Sequence, residues 1–168
     1  MSSSIYSHAP AQLVRGLQIL SHLLRKGEQF LQEKQLPESL LLEARLAADM
    51  FPLLRQVQIV SDVAKGAVAR LSGQEVPSMP DNETNFAQLH QRIEKTISYV
   101  QRFQPADFAD TDGREIELKG ASYEYHFSAE DFLLTFAMPN FYFHLTTAYD
   151  ILRNQGVAVG KRDFLGLQ

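Results

Sequence analysis

The stretch "PNFYFHLTTAYDIL", residues 139–152, is the most informative part of the chain for the fold. At about 100° per residue, Asn140 lies near the centre of one wide apolar stripe, and His144 lies one turn later, toward its edge. Apolar side chains also cover the opposite side, and a helix that is apolar all round is buried on both sides. We therefore predict a buried helix whose Asn140 and His144 side chains point inward, where each needs a hydrogen-bonding partner.

Helical periodicity predicts three more helices, over about residues 10–34, 38–72 and 85–103. In the second of them, apolar side chains follow one another at four- and three-residue steps over residues 46–71, which is typical of a seam buried against neighbouring helices. Pro52 lies inside this seam and predicts a kink, because proline lacks a backbone donor and clashes with the preceding turn. Gly66, in the same helix, predicts the close approach of another backbone.

A short β-hairpin is predicted before the last helix. In "REIELKG" and "SYEYHF", apolar and polar residues alternate with period two on both sides of "KGAS". Two strands are too few to make a domain, so the hairpin is an addition to a helical body. Ser128 then has the position of an N-cap for the last helix, which runs to about Gln155, and Gly156 has the position of a left-handed C-cap. The predicted fold is all-α: a single domain over residues 1–168, an up-and-down four-helix bundle with a small β-hairpin before the last helix.

Composition excludes several classes of protein. The net charge is −4 and the basic residues are scattered, whereas nucleic-acid binding needs clustered Lys and Arg, so we expect no nucleic-acid partner. The chain has no cysteine, which removes disulfides, thiolate catalysis and cysteine-ligated metals. No run approaches ~20 apolar residues, and the N-terminus does not resemble a signal peptide, so no membrane association and a cytoplasmic location are expected.

The second apolar face of the last helix needs a cover. In a four-helix bundle each helix keeps a solvent-facing side, so an extra apolar face favours a subunit interface, and we expect a two-fold homodimer. The alternative is that the hairpin and the C-terminal tail cover this face within one chain.

Two long stretches carry a family resemblance. "ARLAADMFPLLRQVQIVSDVAKGAVARL" and "MPNFYFHLTTAYDILRNQGVAVGKRDFLG" resemble an uncharacterised bacterial branch, a domain-of-unknown-function family, of the DinB/YfiT-like superfamily of proposed metalloenzymes. The resemblance spans essentially the whole chain and implies the bundle fold. In the wider superfamily it implies a divalent metal held by three histidines, one on the second helix and two, four residues apart, on the last. Some members are thiol-cofactor-dependent transferases or isomerases.

This sequence departs from that histidine pattern at two of the three positions. His144 matches the later histidine of the last helix, but Asn140 stands at the earlier position, and the second helix has no histidine. Asp49 is the nearest substitute there. Imidazole suits zinc, nickel and iron, carboxylate oxygen suits harder ions such as manganese, and an amide oxygen is a weak, neutral ligand. Asp49, Asn140 and His144 would therefore hold Zn²⁺, Mn²⁺, Fe²⁺ or Ni²⁺ only loosely.

Two functional hypotheses follow. In the leading one, the metal site is degenerate, no cofactor is certain, and the protein is a dimeric small-molecule-binding or interaction module. His144 and Asn140 then share hydrogen bonds with Asp49 or with backbone carbonyls freed by Pro52. In the alternative, the protein is a divalent-metal-dependent enzyme of the hydrolase or thiol-dependent transferase type. There, an ion on Asp49, Asn140 and His144 would lower the pKa of a bound water or activate a thiol.

Overall fold

Helices dominate the computed structural model, which describes residues 5–167. In chain order its α-helices and strands are α1 (Ala9–Lys34), α2 (Ser39–Leu42), α3 (Leu53–Ser72), α4 (Phe86–Val100), β1 (Glu115–Lys119), β2 (Glu124–Ser128), α5 (Ala129–Asp131), α6 (Met138–Asn154) and α7 (Lys161–Phe164). Two 3₁₀ turns, Ile5–His8 and Pro105–Phe108, and a π-helical segment, Phe132–Ala137, complete them. The prediction of a mostly helical fold with one small hairpin is confirmed.

The long helices surround one core. α3 packs against α4 and α6, and α1 packs against the same two helices. Each of the four supplies fully buried apolar side chains, among them Leu17, Leu20, Val57, Val60, Leu89, Ile93, Phe141 and Leu145. None of the helices in residues 5–167 is long and apolar enough to cross a membrane. The single domain over residues 1–168 stays a prediction.

The predicted second helix is in fact two helices. α2 ends at Leu42, residues 43–52 are not helical, and α3 begins at Leu53. Pro52 is the N-cap of α3, with φ −71° and ψ 166°, so the predicted kink within a continuous helix was wrong. Before the first helical residue a proline removes no helical hydrogen bond, whereas inside a helix it would cost about 3 kcal/mol. Leu46, predicted to lie in the buried seam, is 41% exposed.

The other local predictions are confirmed. β1 and β2 pair antiparallel with Glu115 opposite Ser128. The hydroxyl of Ser128 accepts a hydrogen bond from the backbone N–H of Asp131 at 3.1 Å, as expected of an N-cap. Gly156, just beyond the last helix, has φ +89°, the left-handed conformation typical of a helix C-terminus.

The last helix contains a π-helical segment that changes which faces are buried. The helical run over residues 129–154 is uninterrupted, but Phe132–Ala137 is π-helical. π-Helical turns contain more residues than α-helical ones, so side chains after this segment are rotated relative to a uniform 3.6-residue period. Phe143, predicted to lie in the interior stripe, is 57% exposed, while Phe141 and Leu145, placed on the opposite face, are fully buried.

A buried arginine ties the linker between α3 and α4 to both helices. Arg92 on α4 is 3% exposed. Its guanidinium lies 2.8 Å from Asp62 Oδ1 on α3, and 2.9 Å from Asp81 Oδ1 and 3.0 Å from Glu83 Oε1 on the linker. These four side chains are called the Arg92 network below. It fixes the linker, because a buried charge needs opposite charges close to it, and the two terminal nitrogens of Arg92 obtain them from the linker and α3, while its buried Nε has no hydrogen-bond partner among the described residues.

The C-terminal tail is fixed to α1. Val157 and Val159 are buried against the core, whereas Leu165 remains 40% exposed. Asp163 accepts hydrogen bonds from His22 Nε2 at 2.9 Å and from Lys26 Nζ at 3.0 Å. These bonds hold the pKa of the Asp163 carboxyl well below its usual range.

Candidate functional site at His144 and Gln56

His144 on α6 forms a hydrogen bond with a side chain that the sequence analysis did not single out. Its Nδ1 lies 2.6 Å from the amide oxygen of Gln56, in the first turn of α3. Gln56 is 1% exposed, and its amide nitrogen donates to the backbone carbonyl of Phe51 at 3.0 Å. Because the amide nitrogen is used in this way, the oxygen must face His144. The imidazole therefore carries its proton on Nδ1 and leaves Nε2 with a free lone pair.

The surroundings keep this imidazole neutral. Burial lowers the pKa of His144 below its usual value of 6.5, and the nearby positive charge of Arg55 lowers it further. At neutral pH the side chain is therefore an uncharged hydrogen-bond donor at Nδ1 and an acceptor at Nε2. The His144–Gln56 pair is a neutral couple across the interface of α3 and α6.

Asn140 lies one turn before His144 on the same helix. Its side chain is half-buried, and it makes no hydrogen bond to any other residue in the described range 5–167. Its partial exposure leaves the amide accessible to solvent. The expectation that Asn140 points fully into the core was wrong, since the π-helical segment rotates it toward the rim.

Asp49 does not lie on a helix. It is exposed in the non-helical segment between α2 and α3, and within residues 5–167 it forms no hydrogen bond or ion pair with His144 or Asn140. The expected helical position of Asp49 was wrong because the chain leaves the helix at Leu42. The three-residue metal set stays a prediction.

Gln56 could have been found from the sequence. It precedes Val60 by four residues and so shares a face with the buried seam of α3. A polar side chain on a buried face must have a partner, and that requirement is the signal.

Two exposed phenylalanines border the site and are called the aromatic rim below. The ring of Phe143 packs edge-on against the imidazole of His144, with centroids 5.1 Å apart. Phe51, whose carbonyl binds Gln56, has the guanidinium of Arg55 5.9 Å from its ring centroid. Phe51 is 54% and Phe143 57% exposed, so a polar couple is surrounded by apolar surface that water contacts.

Comparisons with known proteins identify the family. A family model described as a domain of unknown function, DUF1993, matches residues 5–165. The chain belongs to the DUF1993 family. It is also similar to the protein in a crystal structure of a DinB family member from Shewanella denitrificans, with 41% sequence identity and a TM-score of 0.89. That similarity covers 98% of this chain and 93% of the other. No curated protein matches the sequence. The resemblance to a DinB-like domain of unknown function is confirmed.

The residues of this DUF1993 domain do not fit a tightly held transition metal. His144 supplies one imidazole nitrogen, and the side chains beside it, Gln56 and Asn140, offer neutral amides. Structural and catalytic zinc sites use imidazole, thiolate and carboxylate ligands, which bind far more strongly than amide oxygen. The amide oxygen of Gln56 is moreover already occupied by the Nδ1–H of His144.

A second cluster, on the hairpin, is also a poor metal site. Within residues 5–167, Glu117, Glu124 and His126 bring three potential ligand atoms within 4.8 Å of one another, and all three residues are exposed. Hydrogen bonds to Glu124 and Glu115 raise the pKa of His126, which favours the protonated imidazolium. Exposed acidic groups commonly gather in this way without an ion, so the cluster by itself does not indicate a metal site.

Proposed function

We propose that this DUF1993 protein acts by binding and not by metal-dependent catalysis. In this proposal the four long helices make the up-and-down bundle of DinB-like domains, and the superfamily's metal position has become the neutral His144–Gln56 couple. The single observation that carries the proposal is the 2.6 Å contact between His144 Nδ1 and Gln56 Oε1. It satisfies the buried amide oxygen of Gln56 and the Nδ1–H of the half-buried His144 without an ion, and the neutral imidazole agrees with that role.

Metal content tests this proposal directly. The protein, purified without a histidine tag, should carry far less than one equivalent of zinc, manganese, iron or nickel. The His144→Ala variant should show the same low content and a lower melting temperature, because the buried oxygen of Gln56 loses its donor. One equivalent of a transition metal that disappears in His144→Ala would overturn the proposal.

The apolar face of the last helix from which a dimer was expected is largely covered within one chain, since Phe141, Leu145 and Leu152 are fully buried. We further propose, on different residues, that the protein is a homodimer and that the aromatic rim lies in its interface. Phe51 is linked through its backbone carbonyl to Gln56, Gln56 to His144, and the ring of His144 to Phe143, and this chain of contacts supports placing the two exposed rings in one interface. Aromatic residues are enriched at protein interfaces, and apolar patches on a surface commonly mark them.

Light scattering tests the dimer. At micromolar concentration, the wild type should have twice the mass of the 19.0 kDa chain. Phe143→Ser should shift the equilibrium toward the monomer, whereas Leu36→Ser, at a 38% exposed position after α1, should not. A wild-type particle of 19.0 kDa would contradict the proposal.

The alternative remains a divalent-metal-dependent enzyme of the hydrolase or thiol-dependent transferase type. One observation favours it: the Nε2 lone pair of His144 is not used by Gln56, and Asn140 lies one turn away. It would also require the exposed carboxylate of Asp49 to approach these two side chains. The metal analysis above separates the two functions.

A further inference from the structure

Arg70, on the last turns of α3, is a cation without a partner. Its side chain is half-buried, yet it makes no hydrogen bond or ion pair with any other residue in the part of the chain that the structure describes. Burial lowers the pKa of its guanidinium, which stays charged, and the side chain of Tyr123 acts in the opposite direction. A partly desolvated charge is unfavourable unless something binds it, so this position indicates a ligand.

A glycine makes room for this side chain. A Cβ atom at Gly66 would collide with Nη1 of Arg70, one turn later on α3. Gly66 was expected to admit another backbone, and the structure shows that it admits this guanidinium. Glycine weakens the middle of a helix, so the position serves to keep Arg70 folded back along α3.

The guanidinium borders a cleft of about 240 Å³ between α3, the hairpin and the π-helical segment. Phe132 and Phe136 of the π-helical segment and Tyr123 of the hairpin line its walls. Asp62 lines it as well, eight residues before Arg70, which is about 12 Å along a helix axis. The carboxylate of Asp62 is already paired with Lys65 and Arg92. The end of the cleft at Arg70 is therefore the part that attracts an anion.

We propose that this cleft binds a small monocarboxylic acid with a flat apolar body, its carboxylate on Arg70 and its body between the aromatic rings. The planar guanidinium matches a carboxylate with two parallel hydrogen bonds. The aromatic walls favour an organic acid over a free inorganic anion, and at the far end Asp62, already paired with Lys65 and Arg92, offers no partner to a second carboxylate. The cleft holds the volume of about eight water molecules, which limits the ligand to a small one.

The proposal goes beyond the proposed function and does not depend on it. The cleft shares no residue with the His144–Gln56 couple or with the aromatic rim. A metal at His144 or a monomeric protein would therefore leave this proposal standing, and the failure of this proposal would leave the other standing.

Titration with sodium benzoate, followed by backbone amide shifts in NMR, tests the cleft. Benzoate should saturate shifts on α3, the hairpin and the π-helical segment, and neutral benzamide should bind about tenfold more weakly or worse, because a hydrogen bond to a charged group is lost. Inorganic phosphate should not compete with benzoate.

Three variants test the role of Arg70. Arg70→Gln should abolish benzoate binding, and Gly66→Ala, which displaces the guanidinium, should weaken it. Arg102→Gln, which removes an exposed arginine near Tyr99, should bind like the wild type.

Melting temperatures show that each variant is folded before it is titrated. Arg70→Lys provides a second test, since it keeps the charge and loses the planar fork, and it should bind more weakly than the wild type. Benzoate that binds Arg70→Gln as well as the wild type would overturn the proposal. Shifts confined to the cleft around Arg15, His22 and Arg25 would also overturn it, because benzoate would then bind elsewhere. Equal affinity for benzamide, competition by phosphate, or no saturation at about 10 mM benzoate would each overturn it as well.

Discussion

Two buried polar regions along α3 solve the same problem in different ways. At its start, Gln56 and His144 are both neutral and satisfy each other with one hydrogen bond. Further along, the charged Arg92 requires carboxylates from α3 and from the linker. In the neutral pair, one hydrogen bond satisfies the Gln56 oxygen and the Nδ1–H of His144, and the Nε2 lone pair stays unused. A buried charge, in contrast, needs several opposite charges around it. The first arrangement can be altered locally, and the second holds distant segments of the chain together.

The largest effect is expected in the Arg92 network. Arg92→Met should lower the free energy of unfolding by about 3 kcal/mol, the lower end of the range for a broken buried pair. The lower end applies because the side chains of Asp62 and Asp81 are 32% and 35% exposed and water can solvate them once the arginine is gone. Urea unfolding measures the change.

The control for that variant is Arg102→Met, at an exposed arginine, which should leave the free energy of unfolding unchanged. A loss of less than about 1 kcal/mol in Arg92→Met would show that the network does not fix the linker.

A smaller effect is expected in the neutral couple. His144→Ala and Gln56→Ala should each cost about 1–3 kcal/mol, the penalty for leaving a buried group unsatisfied. The double variant should cost less than the sum, because one hydrogen bond is removed twice in the single variants. A double-mutant cycle by urea unfolding measures the coupling, and strictly additive losses would mean that the two side chains do not interact in solution.

The two regions should also differ in their pH dependence. The folded pKa of His144 lies below its unfolded value of 6.5, so the unfolded chain binds more protons as the pH falls through that value. The stability contributed by the neutral imidazole is therefore present above pH 6.5 and is lost as the pH falls toward the folded pKa.

The measurement is the difference in unfolding free energy between the wild type and His144→Gln, from about pH 8 to about pH 5. The wild type should lose more stability than the variant toward the acid end. The opposite contribution of His126, whose pKa is raised, is present in both proteins and cancels. A constant difference across this range would contradict the neutral couple.

The smallest effect is expected at Asp49. Because this carboxylate is exposed and lies outside both regions, Asp49→Asn should change the free energy of unfolding by less than about 0.5 kcal/mol. Metal content should stay as low as in the wild type. A fall in bound metal in this variant would support the metal-dependent alternative.

Local signals predicted much of the fold. The N-cap at Ser128, the period-two alternation of the hairpin and the glycine after the last helix each depend on a few neighbouring residues, and the structure confirms all three. The break before Leu53 was missed because the apolar spacing continues across Pro52, and spacing alone does not distinguish a kinked helix from a helix that ends and restarts.

The site was harder to predict than the fold. His144 was found because its type and spacing resemble a known pattern, whereas Gln56 was missed because glutamine is usually a surface residue. The rotation caused by the π-helical segment, which exposes Phe143 and moves Asn140 to the rim, depends on backbone hydrogen bonding that no local motif encodes. Arg70 was not recognised because its significance lies in its lack of a hydrogen-bond or ion-pair partner within residues 5–167, which only the packed structure reveals.

The protonation of His144 tests the account most directly. Two-dimensional NMR that correlates the imidazole nitrogens with their attached carbons distinguishes the two neutral tautomers from the charged ring. At neutral pH, we predict a neutral imidazole with its proton on Nδ1 and an unprotonated Nε2, and the spectrum should stay the same when one equivalent of Zn²⁺ is added. A charged ring, a proton on Nε2, or an Nε2 signal that moves to the metal-bound position with Zn²⁺ would contradict it.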